Sequence, residues 1–458
     1  MSETSLTDFT LRIIRDRPDY YLVRAECVLV GETEPWRLSL AEIASLTAYG
    51  EKLNNGQIGD IVEAARIGSA LYQVVFPTQA QGALETALAI ARDRGGGLRL
   101  QLKFQQSSEL HTIPWELMWT RGQFIARHPA TPIARYLEQP REVKSLHITP
   151  PVRILFTTAC PDGMAELDLT KEENNIRAAL EPLHNRVELV VQRHISLDRL
   201  RHLLMRAQTR ERPFHVWHHC GHGGFFNSST GNTFGLAFEN RGTLEWVSVR
   251  QVNTLVEACD ALRMIVLNVC HGASSAGLVP ALALLGVPAV IGFRSRVFDQ
   301  TALTFARTFY EAALHKPVDV ALGQARLALT MEQSLSVDWA LPLLFLRTTT
   351  PLLLRNATGE VDSASGVTGQ PNGVSTGPVI RIRGKKWEIG QAQFIGTMNI
   401  GDQASAIPDT PQIEFDTEHV TADQLLQIGG LSISSEEAIK RLKDLQNLAS
   451  SLTDDLTE

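Results

Sequence analysis

The chain is 458 residues long, 44% hydrophobic and 20% charged, with a formal net charge of −7. That length accommodates two or three domains, and the apolar content is enough to bury real cores, which excludes a disordered chain. No apolar run reaches the ~20 residues that span a bilayer, and Met1-Ser2-Glu3-Thr4-Ser5 lacks a basic-then-apolar signal pattern, so a cytoplasmic protein without membrane contact is expected.

The five cysteines, Cys27, Cys160, Cys220, Cys259 and Cys270, are odd in number and widely scattered, which reads as reduced thiols. Residues 401–458 hold twelve acids against Lys440, Arg441 and Lys443, so the tail carries −9 and the first 400 residues +2. Neither part has the clustered Lys/Arg of a phosphate-binding surface. No nucleic-acid partner is expected.

Residues 9–30 and 98–104 alternate apolar and polar side chains, as in Leu98-Arg99-Leu100-Gln101-Leu102, which predicts half-buried strands. Residues 57–72 and 80–94 have helical spacing, so residues 1–145 read as an α+β region packed on the main domain. From Pro150 the pattern becomes strand then helix, repeated. A strand over 152–156, a polar loop over 159–168, a helix over 170–184, a strand over 187–191 and a helix near 196–208 are predicted. Strands ending near His222 and Cys270 follow, then a strand over 287–293. This alternation specifies a mostly parallel sheet with helices on both faces. After Asp299, Ala302, Phe305, Ala306, Phe309, Tyr310 and Ala313 share one helical face. A last strand over 341–346 closes the domain.

Residues 356–378 are rich in Gly, Ser, Thr and Asn and read as a flexible linker. Beyond it, 379–389 reads as a β-hairpin and 394–401 as further short strands. Ser434-Ser435-Glu436-Glu437 supplies a capping box for a helix to about Ser450. No internal repeat of useful length is visible. So small a module buries too little for much autonomous stability, which predicts docking or self-association through 379–458.

Two segments carry the chemistry, His215-Val216-Trp217-His218-His219-Cys220-Gly221-His222-Gly223-Gly224 and Ile265-Val266-Leu267-Asn268-Val269-Cys270-His271-Gly272-Ala273. Each puts a reactive side chain at the end of an apolar run, where buried parallel strands give way to loops. A cysteine nucleophile benefits from a nearby base, and His222 is suited to hold the thiol proton and pass it to a leaving amine. The competing readings are a buried core thiol with a hydrogen-bonded loop histidine, or a zinc site drawing on Cys220, His222, Cys270 and His271. Adjacent Cys and His side chains point apart, so no metal is expected, and the lack of a GxxxxGK[ST] sequence leaves no cofactor either. His218 and His219 point to opposite faces of an alternating strand, and His271 reads as a loop side chain.

Further segments point to a family. Gly286-Val287-Pro288-Ala289-Val290-Ile291-Gly292-Phe293, Phe305-Ala306-Arg307-Thr308-Phe309-Tyr310 and Ala321-Leu322-Gly323-Gln324-Ala325-Arg326 resemble the CHAT family, caspase-like peptidases of clan CD. Ile113-Pro114-Trp115-Glu116-Leu117 and Pro132-Ile133-Ala134-Arg135-Tyr136-Leu137 look like the segments that open CHAT domains. The resemblance implies an α/β fold with a caspase-like, mostly parallel sheet flanked by helices over 146–355. Residues 1–145 would be its N-terminal α+β region, and 379–458 a small hairpin-plus-helix module. It also implies a cysteine peptidase with Cys270 as nucleophile and His222 as general base and acid. The N–H groups of Gly223 and Cys270 would stabilise the oxyanion.

In caspase-like folds the pocket for the residue before the cut draws on two loops, here carrying Asp162, Glu166 and Asp168, and Arg294, Arg296 and Asp299. Acids would select Lys or Arg and arginines would select Asp, and both remain open. Asp168 also suits a helix N-cap. The expected function is a cysteine endopeptidase acting on a protein partner, released by an activating sensor or assembly partner in a bacterial defence or cell-death circuit. The alternative is a catalytically silent CHAT scaffold acting through protein–protein interaction.

Overall fold

The apolar runs become the centre of one mixed sheet. The computed structural model describes residues 6–104, 109–137, 146–228, 231–271, 285–295, 299–348 and 352–356, with six short strands between Val379 and Ile433. Strands Val152–Thr158, Val216–Ser228, Met264–His271 and Ala289–Phe293 lie side by side in parallel, and Val187–Gln192 forms the edge beside the first. They are covered on both faces, which is why Met264-Ile265-Val266-Leu267 is an unbroken apolar run and not an alternation.

Alternate residues feed two cores. Ile154, Phe156, Val216, Val266 and Ile291 join a cluster with helices Leu169–Leu180, Asp299–Ala313 and Val318–Glu332. Leu155, Trp217, Ile265, Leu267 and Val290 join a second with helices Leu197–Thr209 and Val249–Glu257. Asp168, Ser196 and Ser248 cap three of these helices by accepting backbone N–H groups.

The sheet runs on into the region read as an N-terminal α+β region packed on the main domain. Ala289–Phe293 pairs antiparallel with Pro342–Leu346, and Ile133–Tyr136, Gly97–Phe104 and Leu6–Arg17 then continue in parallel, with Tyr20–Cys27 antiparallel beyond. Helices Ile61–Val75 and Thr78–Asp93 match the two expected there. A third, Leu40–Asn54, was not expected. It opens on a Ser39–Glu42 capping box, but its mixture of Ala, Thr, Gly and Leu blurs the apolar stripe. Among the described residues no helix is long and apolar enough to cross a membrane.

Met1–Glu360 form one unit and Val361–Glu458 a second. The hairpin expected over 379–389 does not form. Val379–Arg383 and Trp387–Ile389 pair in parallel with Gln412–Asp416 and Val420–Ala422, and Met398–Ile400 with Leu431–Ile433. Gly384-Lys385-Lys386 lacks the Asn-Gly or Asp-Gly of a tight hairpin, whereas the parallel register sets Arg381 and Arg383 level with Glu414 and Asp416. The expected linker beyond Asn356 and the helix ending near Ser450 lie outside the described residues.

A buried charge cluster ties the sheet together. Glu116 has no solvent exposure and meets Arg135 through both oxygens, Arg294 at 3.4 Å and Arg326 at 3.8 Å. Burial opposes the charge, but Arg135 and Arg294 hold the Glu116 carboxyl down at about 2, far below the ordinary carboxylate range. One carboxylate cannot satisfy three guanidiniums. Carbonyls supply further partners: Arg294 donates to Thr112 and Ile113 at 2.9 Å, Arg135 to Ile113 at 3.0 Å and Arg326 to Pro342 at 2.8 Å.

Three histidines are sequestered. His218 Nδ1 lies 2.8 Å from the Tyr310 hydroxyl, His219 Nδ1 2.9 Å from Thr157 Oγ1, and His215 Nδ1 accepts the Arg153 N–H at 2.9 Å. Burial pushes His218 and His219 down to about 3, and burial with Arg153 and Arg263 pushes His215 to about 4.

Two expectations follow for stability. Glu116→Ala strands three buried guanidiniums and should cost about 3–5 kcal/mol in a denaturant titration; a loss within error of zero would remove the cluster from its central place. The histidines are neutral when folded and charge near pH 6.5 when unfolded, so the unfolded chain gains protons first. Stability should therefore fall as pH drops from 7 to 5, by up to about 2 kcal/mol per histidine, and a flat profile would contradict this.

Candidate active site

The strand that carries His222 is longer than its sequence suggests, because its partner changes partway. Up to Cys220 it is flanked by Val152–Thr158, and from His222 onward by the antiparallel strand Gly231–Asn240. On its other side the parallel pairing with Met264–His271 continues to Gly223 and sets His222 level with Cys270. Neighbouring strands run ~4.8 Å apart, so the two backbones are adjacent at this level. The strand of Cys270 pairs with Ala289–Phe293 only as far as Leu267. Among the described strands its last four residues thus pair with the His222 strand alone, which leaves a step in the carboxyl-end rim of the sheet, where open α/β sheets gather reactive groups.

The His222 ring is only 5% exposed and is fixed by the loop after the first strand. Its Nε2 lies 2.7 Å from the Ala165 carbonyl oxygen. A carbonyl only accepts, so Nε2 is the donor there, and the neutral tautomer that fits this contact has its lone pair on Nδ1. The same loop brings in a group the sequence reading had grouped only with the scattered thiols. Cys160 Sγ lies 4.0 Å from His222 Nε2 and donates to Ala165 O at 3.5 Å, while its backbone N–H donates to Glu239 at 3.4 Å. Its place two residues past the end of the first parallel strand was the available signal.

The remaining described thiols are unlike it. Cys27, Cys220 and Cys259 are buried, and burial pushes Cys27 up and Cys259 up to about 11. His218 and His219 are committed to Tyr310 and Thr157 on opposite faces of the strand. The side chains of Cys270 and His271 lie outside the described residues. Gly223 sits between two paired strands, and a Cβ there would come within 2.9 Å of Phe234 and Val269. Among the described residues no group of three His, Cys, Asp or Glu side chains is placed to hold a metal ion.

The two loops of the expected pocket have different fates. Asp162 and Glu166 are exposed on the loop that holds His222, with the Asp162 N–H donating to Gly242 O at 2.9 Å. Asp168 accepts the Lys171 N–H at 3.0 Å and caps a helix. Arg294 is fully buried on Glu116, Asn54 and two carbonyls, so its guanidinium serves the core and not a groove. Arg296 and the Asp299 side chain lie outside the described residues.

Among solved structures, the chain is similar to the separase–securin complex of Saccharomyces cerevisiae, at 11% identity and TM-score 0.42, covering 75% of this chain and 30% of that one. It is also similar to a secreted C11 cysteine protease of Bacteroides thetaiotaomicron bound to an irreversible peptide inhibitor, at 10% identity, TM-score 0.29, and coverage of 39% and 58%. The Drosophila initiator caspase Dronc matches at 11% identity and TM-score 0.31, over 48% of this chain and 95% of that one. The chain thus spans under a third of the separase it matches. No curated protein matches by sequence. The model of the CHAT domain matches residues 65–347, well over half of the chain, and the chain belongs to the CHAT family.

Proposed function

We propose that the protein is a cysteine endopeptidase with Cys270 as nucleophile and His222 as its base and acid. The observation that carries this reading is the register that sets His222 level with Cys270 on adjacent strands, with Nε2 already committed to Ala165 O. His222 Nδ1 takes the thiol proton, and the thiolate attacks the scissile carbonyl carbon. As the tetrahedral adduct collapses, the C–N bond breaks, the imidazolium returns its proton to the leaving amine, and a thioester remains. Water then adds to the thioester, losing a proton to Nδ1, and the acid product leaves with the thiol restored. The Cys270 and Gly223 N–H groups are the proposed oxyanion donors.

Among the described pocket candidates, only Asp162 and Glu166 are left exposed without a core or capping role. Arg294 is consumed by the core and Asp168 by a helix cap, while Asp162 and Glu166 flank the residue that holds His222. The reading therefore includes Lys or Arg on the acyl side of the cut in a protein substrate. Family resemblance extends it to a cytoplasmic enzyme released by an activating partner in a bacterial defence or cell-death circuit.

A peptidyl thiol-reactive probe ending in Arg should modify Cys270, and His222→Ala should slow that labelling at least about a hundredfold. Modification at Cys160 in place of Cys270, or full peptidase activity in a folded Cys270→Ala protein, would overturn the assignment. Replacing both Asp162→Asn and Glu166→Gln should reduce the preference for Arg over Met probes by about tenfold. An unchanged preference would remove these acids from the pocket.

A further inference from the structure

The three strand pairs of the second unit share one offset. Val379 pairs with Gln412, Trp387 with Val420 and Met398 with Leu431, each 33 residues further along the chain and each in parallel. Three independent pairs with one offset and one direction are the signature of stacked coils, in which the chain makes a circuit of three strands and returns directly above itself. The sequence carries the same period once the register is known. Ile380, Ile382, Trp387, Ile389, Met398 and Ile400 meet Ile413, Phe415, Val420, Ala422, Leu431 and Ile433, apolar at every matched position. The residues between them are polar, so each short strand alternates with period two. Mismatch in detail hid the repeat: identity is kept at only two of these six positions, Ile380/Ile413 and Ile400/Ile433.

Two coils make one interface and leave two open edges. Among the described residues each of the three sheets contains two strands only, so the outer strand of each pair presents an unpaired edge. Stacked-repeat folds bury a continuous core only when further coils follow. The charge pattern says what can follow. Val379–Arg383 in the first coil carries Arg381 and Arg383, and Gln412–Asp416 in the second carries Glu414 and Asp416 at the matched positions. In sequence the same offset sets Lys385 against Glu418. A coil with a basic strand therefore lies on a coil with an acidic one.

We propose that the 33-residue coils of 379–433 stack head to tail on those of a second copy of this chain, the acidic second coil of one copy receiving the basic first coil of the next. A second copy supplies three strands of the same length at the same spacing, and this polarity repeats across the junction the charge match found within one chain. The opposite arrangement, second coil on second coil, would oppose Glu414 and Asp416 to themselves. Head-to-tail contact is heterologous, so it builds a ring or an open stack and not a closed two-fold dimer.

Two measurements on the full chain test this. Light scattering should give a mass above the monomer that rises with concentration and returns to the monomer when 379–458 is removed. A monomer at every concentration, or assembly that survives the truncation, would overturn the proposal. The second measurement uses the quadruple variant Arg381→Glu, Arg383→Glu, Glu414→Arg, Asp416→Arg, which keeps opposite charges matched within its own chain. It should self-associate like the native chain, yet mixed native–variant assemblies, read by energy transfer between labels, should be about tenfold rarer than unmixed ones. Mixing that is equal, or favoured over self-association, would exclude head-to-tail stacking.

Discussion

The structure of the first unit depends on Glu116, a carboxylate with no access to water that is shared among three arginines from distant parts of the chain. Arg135 comes from a strand of the N-terminal half, Arg294 from the end of Ala289–Phe293, and Arg326 from the helix Val318–Glu332. Bringing these charges out of water is costly, and their attraction offsets that cost only when most of the donors also find hydrogen bonds. The carbonyls of Thr112, Ile113 and Pro342 take further guanidinium donors, so the cluster fixes backbone as well as side chains. The antiparallel switch between Ala289–Phe293 and Pro342–Leu346, where the two halves of the sheet meet, is held by this network at the end where Phe293 lies opposite Pro342.

From that junction the sheet extends to the parallel strands and to the site. The His222 strand contains three histidines within five residues, and the fold gives them unrelated work. His218 and His219 are buried, neutral and bonded on opposite faces, whereas His222 lies at the level where the strand on one side has ended and a hairpin has taken its place. Only there does the loop over 159–168 reach the ring, through Ala165 O and beside Cys160. The choice of one histidine among three is thus made by strand lengths. No intrinsic property of the residue makes it.

Those lengths explain what the sequence could and could not disclose. Apolar runs marked the parallel strands, helical spacing marked the helix over 299–313, and the segments around Glu116, Arg135 and Arg326 pointed to the family before their common meeting point was known. Register was not legible, because no local pattern says that residue 222 faces 270 or that 379 faces 412. The direction of Pro342–Leu346 was hidden for the same reason: an apolar pentamer reads alike in both orientations. Arg294 was kept as a pocket candidate because a charged side chain after a strand is usually solvated. Its burial is visible only once its three-dimensional partners are known.

The central claim is that His222 governs the ionisation of Cys270 across two adjacent strands. The most direct test is the rate of Cys270 alkylation by a small neutral reagent as a function of pH, followed by mass spectrometry in the native protein and in His222→Ala. A thiol paired with a base should react with a midpoint below the ~8.5 of a free cysteine, and loss of His222 should return it to that value or above. A midpoint that is the same in both proteins would mean that the two residues share a level of the sheet but no chemistry.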